Sequence, residues 1–316
     1  MSMLITIIVP VFAVIVLGRL AVLRRWIDAA AVRGMSDLVF YVAMPCLLFD
    51  SIVRAEELRV ADSTALFLVI SLAIYALGMV LAIVLVRLPF APAAVTGLNA
   101  AFGNAVMMGI PIVVARFGAD AVPPLLGIIT IHSVIILPLA TILIEFGGVG
   151  RGGVGRAGVR HVLHATSAGL ARNPVILTML TAFLWRGLAL PLPDVMHGFF
   201  KLFGAAGPPL ALFCLGASLP PLAAGAHVIR EVVLACALRL VLTPALMLGA
   251  GWWLGMSGIA FKVAVLISGM PTGANAFLLA RRTETAMEAS ASTVVLATVL
   301  SILSLSVLLL LLETLG

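Results

Sequence analysis

Long apolar runs, each about the length that crosses a bilayer, alternate along this chain with short polar or basic punctuation. Such windows fall at residues 4–23, 34–53, 64–86, 92–116, 121–146, 173–191, 198–219, 229–255, 259–280 and 289–312. They predict an all-α membrane protein of ten transmembrane helices. Two of the ten are not smooth. The fourth carries GLNAAFGNAVMMGIPIVVARFG (residues 97–118) and the ninth carries SGMPTGANAFLLARR (residues 268–282). Glycine costs a helix about 1 kcal/mol and proline about 3, so both windows are expected to break near mid-span. Hydrocarbon cannot satisfy backbone groups freed in this way; protein or a water-filled cavity must.

An internal repeat relates the two halves. Pro10-Val11 opens the first window and Pro174-Val175 the sixth, while Pro45 is expected to break the second and Pro208-Pro209 the seventh. The separations 10 to 45 and 174 to 209 are both 35 residues. Val113-Val114-Ala115-Arg116 falls on Leu278-Leu279-Ala280-Arg281 at nearly the same offset. Five spans per half is an odd number, so the second copy inserts upside down. That is the inverted-topology repeat of secondary transporters, which places a site where interrupted spans meet near the midplane. The expected division is a first five-helix repeat at 1–146, a cytoplasmic Gly/Arg linker at 147–172, and a second five-helix repeat at 173–316.

Composition agrees with the windows: 63% hydrophobic and 10% charged residues in a chain of 316 leave too little polar surface for a soluble globule. The N-terminal MSMLITIIVP lacks a basic n-region and runs on apolar through Leu23, so a first span is expected rather than a cleaved signal peptide. Cys46, Cys214 and Cys236 lie in apolar runs without C-x-x-C spacing and read as packing residues. The formal charge of +6 comes from arginines in short loops. Placing the N-terminus outside puts Arg24, Arg25, Arg33, Arg87, Arg151, Arg156, Arg160, Arg172, Arg230, Arg281 and Arg282 on the inner side. Positive-inside therefore predicts both termini outside, periplasmic for an inner (cell) membrane. Orientation alone also accounts for the basic loop 147–172, whose sharper alternative is a regulatory or nucleic-acid role; no nucleic-acid partner is expected.

The two breaks supply candidate substrate contacts: Gly103, Asn104, Met107, Gly109 and Pro111 in the fourth span, and Pro271, Thr272, Gly273 and Asn275 in the ninth. A half-helix N-terminus presents N–H groups and a positive dipole that suit a carboxylate. Asn104, Thr272 and Asn275 add side-chain hydrogen bonds. The plainer alternative is that Gly109 and Pro111 only permit a kink and close packing. Arg239, in LACALRLVLTPAL, is a costly cation mid-span and must face protein or water. It would hold an anionic substrate or a partner carboxylate, or else donate to helix carbonyls. His132 and Glu145 of the fifth span are coupling candidates, since histidine titrates near neutrality. Thirteen residues apart, about 20 Å along a helix, they would not touch, and a satisfied core histidine with an interfacial glutamate is the alternative. No metal site or cofactor is expected. Coupling to protons or to sodium, the latter through backbone carbonyls, stays open.

Ordered motifs carry a family resemblance. FYVAMPCLLF (40–49), GNAVMMGIPIVVARFG (103–118), NPVIL (173–177), ALFCLGASL (211–219) and MPTGANAF (270–277) resemble segments of the auxin efflux carrier family of membrane transporters, and the resemblance runs from Pro10 to the tenth span. It implies a bile-acid-symporter-like fold with spans 1, 2, 6 and 7 as scaffold and spans 3–5 and 8–10 as a mobile transport domain. By motif, spans 4 and 9 would cross at Gly103-Asn104 and Pro271-Thr272, with Asn104 the foremost contact. The implied cargo is a small organic anion such as a mono- or dicarboxylate, and a homodimer is implied on the same ground alone. Plant members have proline where this chain has Gly103, and many have a long cytoplasmic loop that is absent here, so the short bacterial type is the nearer match. The expected function is a secondary active transporter, a permease or efflux carrier working by alternating access. A sodium-coupled symporter or channel-like facilitator of the same fold is the alternative. An intramembrane enzyme is the distant one, because H-E-x-x-H and paired aspartate motifs are missing and Gly216-Ala217-Ser218 has no histidine set beside it.

Overall fold

The computed structural model describes residues 2–54, 62–147, 174–219, 225 and 228–314; the expected linker lies outside them but for Gly147. Among the described residues the chain is helical, with α1 (Ser2–Leu23), α2 (Ala29–Leu38), α3 (Met44–Arg54), α4 (Asp62–Leu81), α5 (Phe90–Ala101), α6 (Ile110–Phe117) and α7 (Val122–Gly147) in the first half. The second half holds α8 (Pro174–Gly187), α9 (Asp194–Ser218), α10 (Ile229–Ala237), α11 (Thr243–Trp253), α12 (Gly258–Ser268), α13 (Ala274–Arg282) and α14 (Met287–Thr314). Among the described residues, six helical runs are long and apolar enough to cross a membrane: Ala29–Arg54, Asp62–Val86, Ala119–Gly147, Asp194–Ser218, Ile229–Trp253 and Met287–Glu313. Shorter apolar helices, Ala105–Phe117 and Gly258–Ser268 among them, occupy the fourth and ninth windows.

Prolines explain where these helices widen. Val39–Ala43, Ala82–Val86, Ala105–Gly109 and Leu238–Leu242 each form a π turn. Each is followed within three residues by a proline: Pro45, Pro89, Pro111 and Pro244 respectively. A proline ring collides with the carbonyl four residues earlier, and that residue (Tyr41, Leu85, Met107 or Leu240) sits inside the widened turn every time. Wider winding relieves the clash. Ahead of Pro89 the helix then ends at a left-handed Arg87 (φ 62°). Around Pro45 it does not end, and the run from Ala29 to Arg54 stays continuous. Pro208 and Pro209, expected as breaks, likewise lie inside an uninterrupted α9, where they withdraw two donors without stopping the helix.

The chain divides into two compact units, Met1–Val60, Val106–Gly127 and Ala168–Leu219 forming one, Ala61–Ala105, Ile128–Ser167 and Pro220–Gly316 the other. In the first, α3, α8 and α9 meet at an aromatic cluster, with Phe49 edge-on to Trp185 (centroids 5.8 Å apart) and tilted against Phe200 (4.8 Å). In the second, α5 is the hub: Ala91 and every residue from Ala93 to Ala101 are buried. Small side chains make that possible. A Cβ on Gly97 would stand 2.7 Å from the carbonyl oxygen of Tyr75 on α4, so glycine lets the two backbones touch, as membrane helices do where dispersion must hold them together. Ala91, Ala94 and Val95 then pack with Ile144 and Ala280.

Candidate functional site

Within the second unit, α5 and α12 both stop short, and the residues that follow them pair with each other. Phe102 leaves α5 with an extended backbone (φ −94°, ψ 102°), and α12 ends at Ser268 ahead of Met270-Pro271-Thr272. Gly103 and Thr272 then lie opposite one another as an isolated antiparallel bridge. The Asn104 N–H donates to the Pro271 carbonyl at 2.7 Å, and the Gly273 N–H donates to the Phe102 carbonyl at 2.9 Å. Pro271 is used where only an acceptor is required. Thr272 adds a hydroxyl bond to the Asn99 carbonyl (2.7 Å), and the Asn99 side-chain oxygen accepts from Ser290 (2.7 Å). Buried backbone that has left the helix thus finds partners inside the same unit.

Arg239 ties these two segments together. Its side chain is wholly buried (0% exposed) and emerges from the π turn ahead of Pro244. Nε donates to Met270 O at 2.7 Å, Nη1 to Ala101 O at 2.8 Å and Nη2 to Ile267 O at 2.9 Å. Ala101 and Ile267 belong to the last turns of α5 and α12. Each helix C-terminus carries roughly half a negative charge, so two of them together offset about one guanidinium. Of the two roles open to Arg239, donation to helix carbonyls is the one the structure displays. Gly103 follows from the same arrangement. A Cβ there would stand 2.8 Å from the Arg239 Cζ and closer still to Nη2, so the guanidinium occupies the space a side chain would take.

The other expected contacts are distributed more widely. Asn104 is buried beside the bridge (5% exposed), while Asn275 is exposed in the first turn of α13. Met107, Gly109 and Pro111 belong to the first unit, Gly109 and Pro111 buried and Met107 half-buried. His132 is buried, its ring stacked on Phe102 (5.1 Å, 21°) and edge-on to Phe67 (5.3 Å, 72°). Glu145 is exposed farther along α7, and the two are not brought together.

A family model described as Membrane transport protein matches residues 3–150 and 156–309. The chain belongs to that family. The auxin efflux carrier resemblance of its motifs thus extends over nearly the whole length. A Rhizobium meliloti protein described as "Putative malonate transporter" is 26% identical over 317 residues, covering 97% of this chain and 95% of the relative. An uncharacterized transporter of Methanothermobacter thermautotrophicus is 26% identical over 302 residues, with 94% and 95% coverage. In this member of the membrane transport protein family, sequence reasoning passed over Asn99, Ser290 and the buried Glu231. The Glu231 carboxylate lies 3.3 Å from the Thr96 hydroxyl, one turn before Asn99 on α5. A second asparagine in GLNAAFGN and an acidic residue entering the eighth window were the available clues.

Proposed function

We propose that the protein is a secondary active transporter that carries a small organic anion across the membrane by alternating access. The bridge between Phe102–Asn104 and Pro271–Gly273 is the observation that carries this, because it sets extended backbone from each half of the chain side by side within apolar helices. In this reading the ten windows are ten spans in two inverted five-helix repeats, and spans four and nine cross at the bridge. Arg239 ties up the C-terminal helix ends and so acts as the post of the crossing. The groups proposed to meet the anion are the start of α13, which has no side-chain cap, and the side chains of Asn104 and Asn275. The relative described as a malonate transporter makes small dicarboxylates the first cargo to test. The arginine distribution supports both termini outside.

The test is uptake of labelled malonate and other small mono- and dicarboxylates into proteoliposomes. Wild-type uptake should saturate, and Asn104→Ala should abolish most of it while keeping the wild-type melting temperature. A folded wild-type protein that moves none of these anions, or moves them without saturation, overturns the carrier reading.

A further inference from the structure

In the first unit, α3 and α9 border a cavity of about 510 Å³. They run antiparallel along it, since His197 meets Asp50 while Gly204, farther along α9, meets Leu47, earlier on α3. Gly204 sets the closest approach: a Cβ there would stand 2.9 Å from the Leu47 Cα. On its wall His197 Nδ1 and Asp50 Oδ1 are 2.7 Å apart, with side chains 26% and 19% exposed. Arg54 lies one turn beyond Asp50 and Lys201 one turn beyond His197, which on antiparallel helices sends them in opposite directions, about 6 Å each way along the axes. Two cations therefore bracket the His–Asp pair. Neither has a hydrogen-bond or ion-pair partner among the described residues. Asp120, from the short turn ahead of α7, is the remaining charged group on the wall.

With His197 neutral, Arg54 and Lys201 balance Asp50 and Asp120. With His197 protonated, the wall carries one positive charge in excess. The volume falls within the range of small-ligand sites, and Arg54 and Lys201 on its wall offer charged donors to an anion with acceptor oxygens. We infer that this cavity is a second binding site for a small carboxylate, separate from the crossover, with Arg54 and Lys201 as its charge partners and His197 on the wall between them. Only the ligand class is borrowed from the carrier reading.

Diethylpyrocarbonate labelling of the full-length protein in neutral detergent, read peptide by peptide by mass spectrometry, reports on His197 itself, with malonate as the probe. Malonate should slow His197 labelling. The half-protecting concentration should rise about tenfold or more in Arg54→Gln and Lys201→Gln, the loss expected for one charge-assisted hydrogen bond. Arg54→Lys and Lys201→Arg should retain protection, which separates lost charge from lost fold. Asn104→Ala should protect His197 as the wild type does whatever happens to its transport, so failure of the carrier reading and failure of this site are distinguishable. Unchanged protection in both glutamine variants overturns the site. So does protection by vesicles containing phosphatidylglycerol with none by malonate, which would assign the cations to a lipid headgroup.

Discussion

Arg239 in the second unit and His197 in the first are both ionisable side chains set among apolar helices, but their charges are met by different means. Arg239 is sealed from water and its recorded acceptors are three backbone carbonyls. His197 is about a quarter exposed and pairs with a carboxylate beside a cavity of about 510 Å³. Carbonyls at helix ends do not titrate and cannot swing away, so the charge they hold is fixed. A carboxylate and an imidazole can each change protonation or rotate, so the charge they share is adjustable. Permanent geometry is built from backbone and responsive geometry from side chains, within one chain.

The sharpest way to break that contrast is Arg239→Met. It keeps the bulk but removes three charged donors from buried carbonyls, of which Ile267 O still accepts from the Met270 N–H at 3.1 Å, so a loss of roughly 2 kcal/mol or more is expected. Thermal unfolding in detergent would show a large fall in Tm; a Tm near wild type would mean the carbonyl contacts contribute nothing. Next comes Gly103→Ala, which crowds a guanidinium already pinned at three points and should cost about 1–3 kcal/mol. If the cause is that crowding, Arg239→Met/Gly103→Ala should melt no lower than Arg239→Met alone, since contacting residues are non-additive. Simple addition of the two losses would instead point to the backbone at position 103. Smallest is His197→Gln, with a stability change below about 1 kcal/mol because the pair is partly exposed. Its wild-type reference should lose the same increment in high salt, and a drop as large as that of Arg239→Met would place both regions in one class.

Legibility in the sequence followed the strength of the local rule. Apolar windows of bilayer length identify an all-helical membrane protein, and the ordered motifs lead to the membrane transport protein family. Gly103 and Pro271 mark stretches where helical hydrogen bonding stops. Pro45, Pro208 and Pro209 follow the same residue-level rule, yet their helices continue. A proline removes one donor and pushes one carbonyl; whether the helix ends depends on what else can receive the freed groups. At Pro45 a π turn absorbs the change. At Pro271 a second strand is waiting.

The sequence by itself determined which segments must be out of water and that Arg239 had to find acceptors, because transfer free energies attach to residue types wherever they sit. Only the tertiary structure decided who those acceptors are. Ala101, Ile267 and Met270 reach Arg239 across 138, 28 and 31 positions of chain respectively, and Asp50 reaches His197 across 147. Backbone carbonyls look alike in every residue, so no side-chain pattern records which ones will face a given cation. That is fixed only when two helices end at the same place in space.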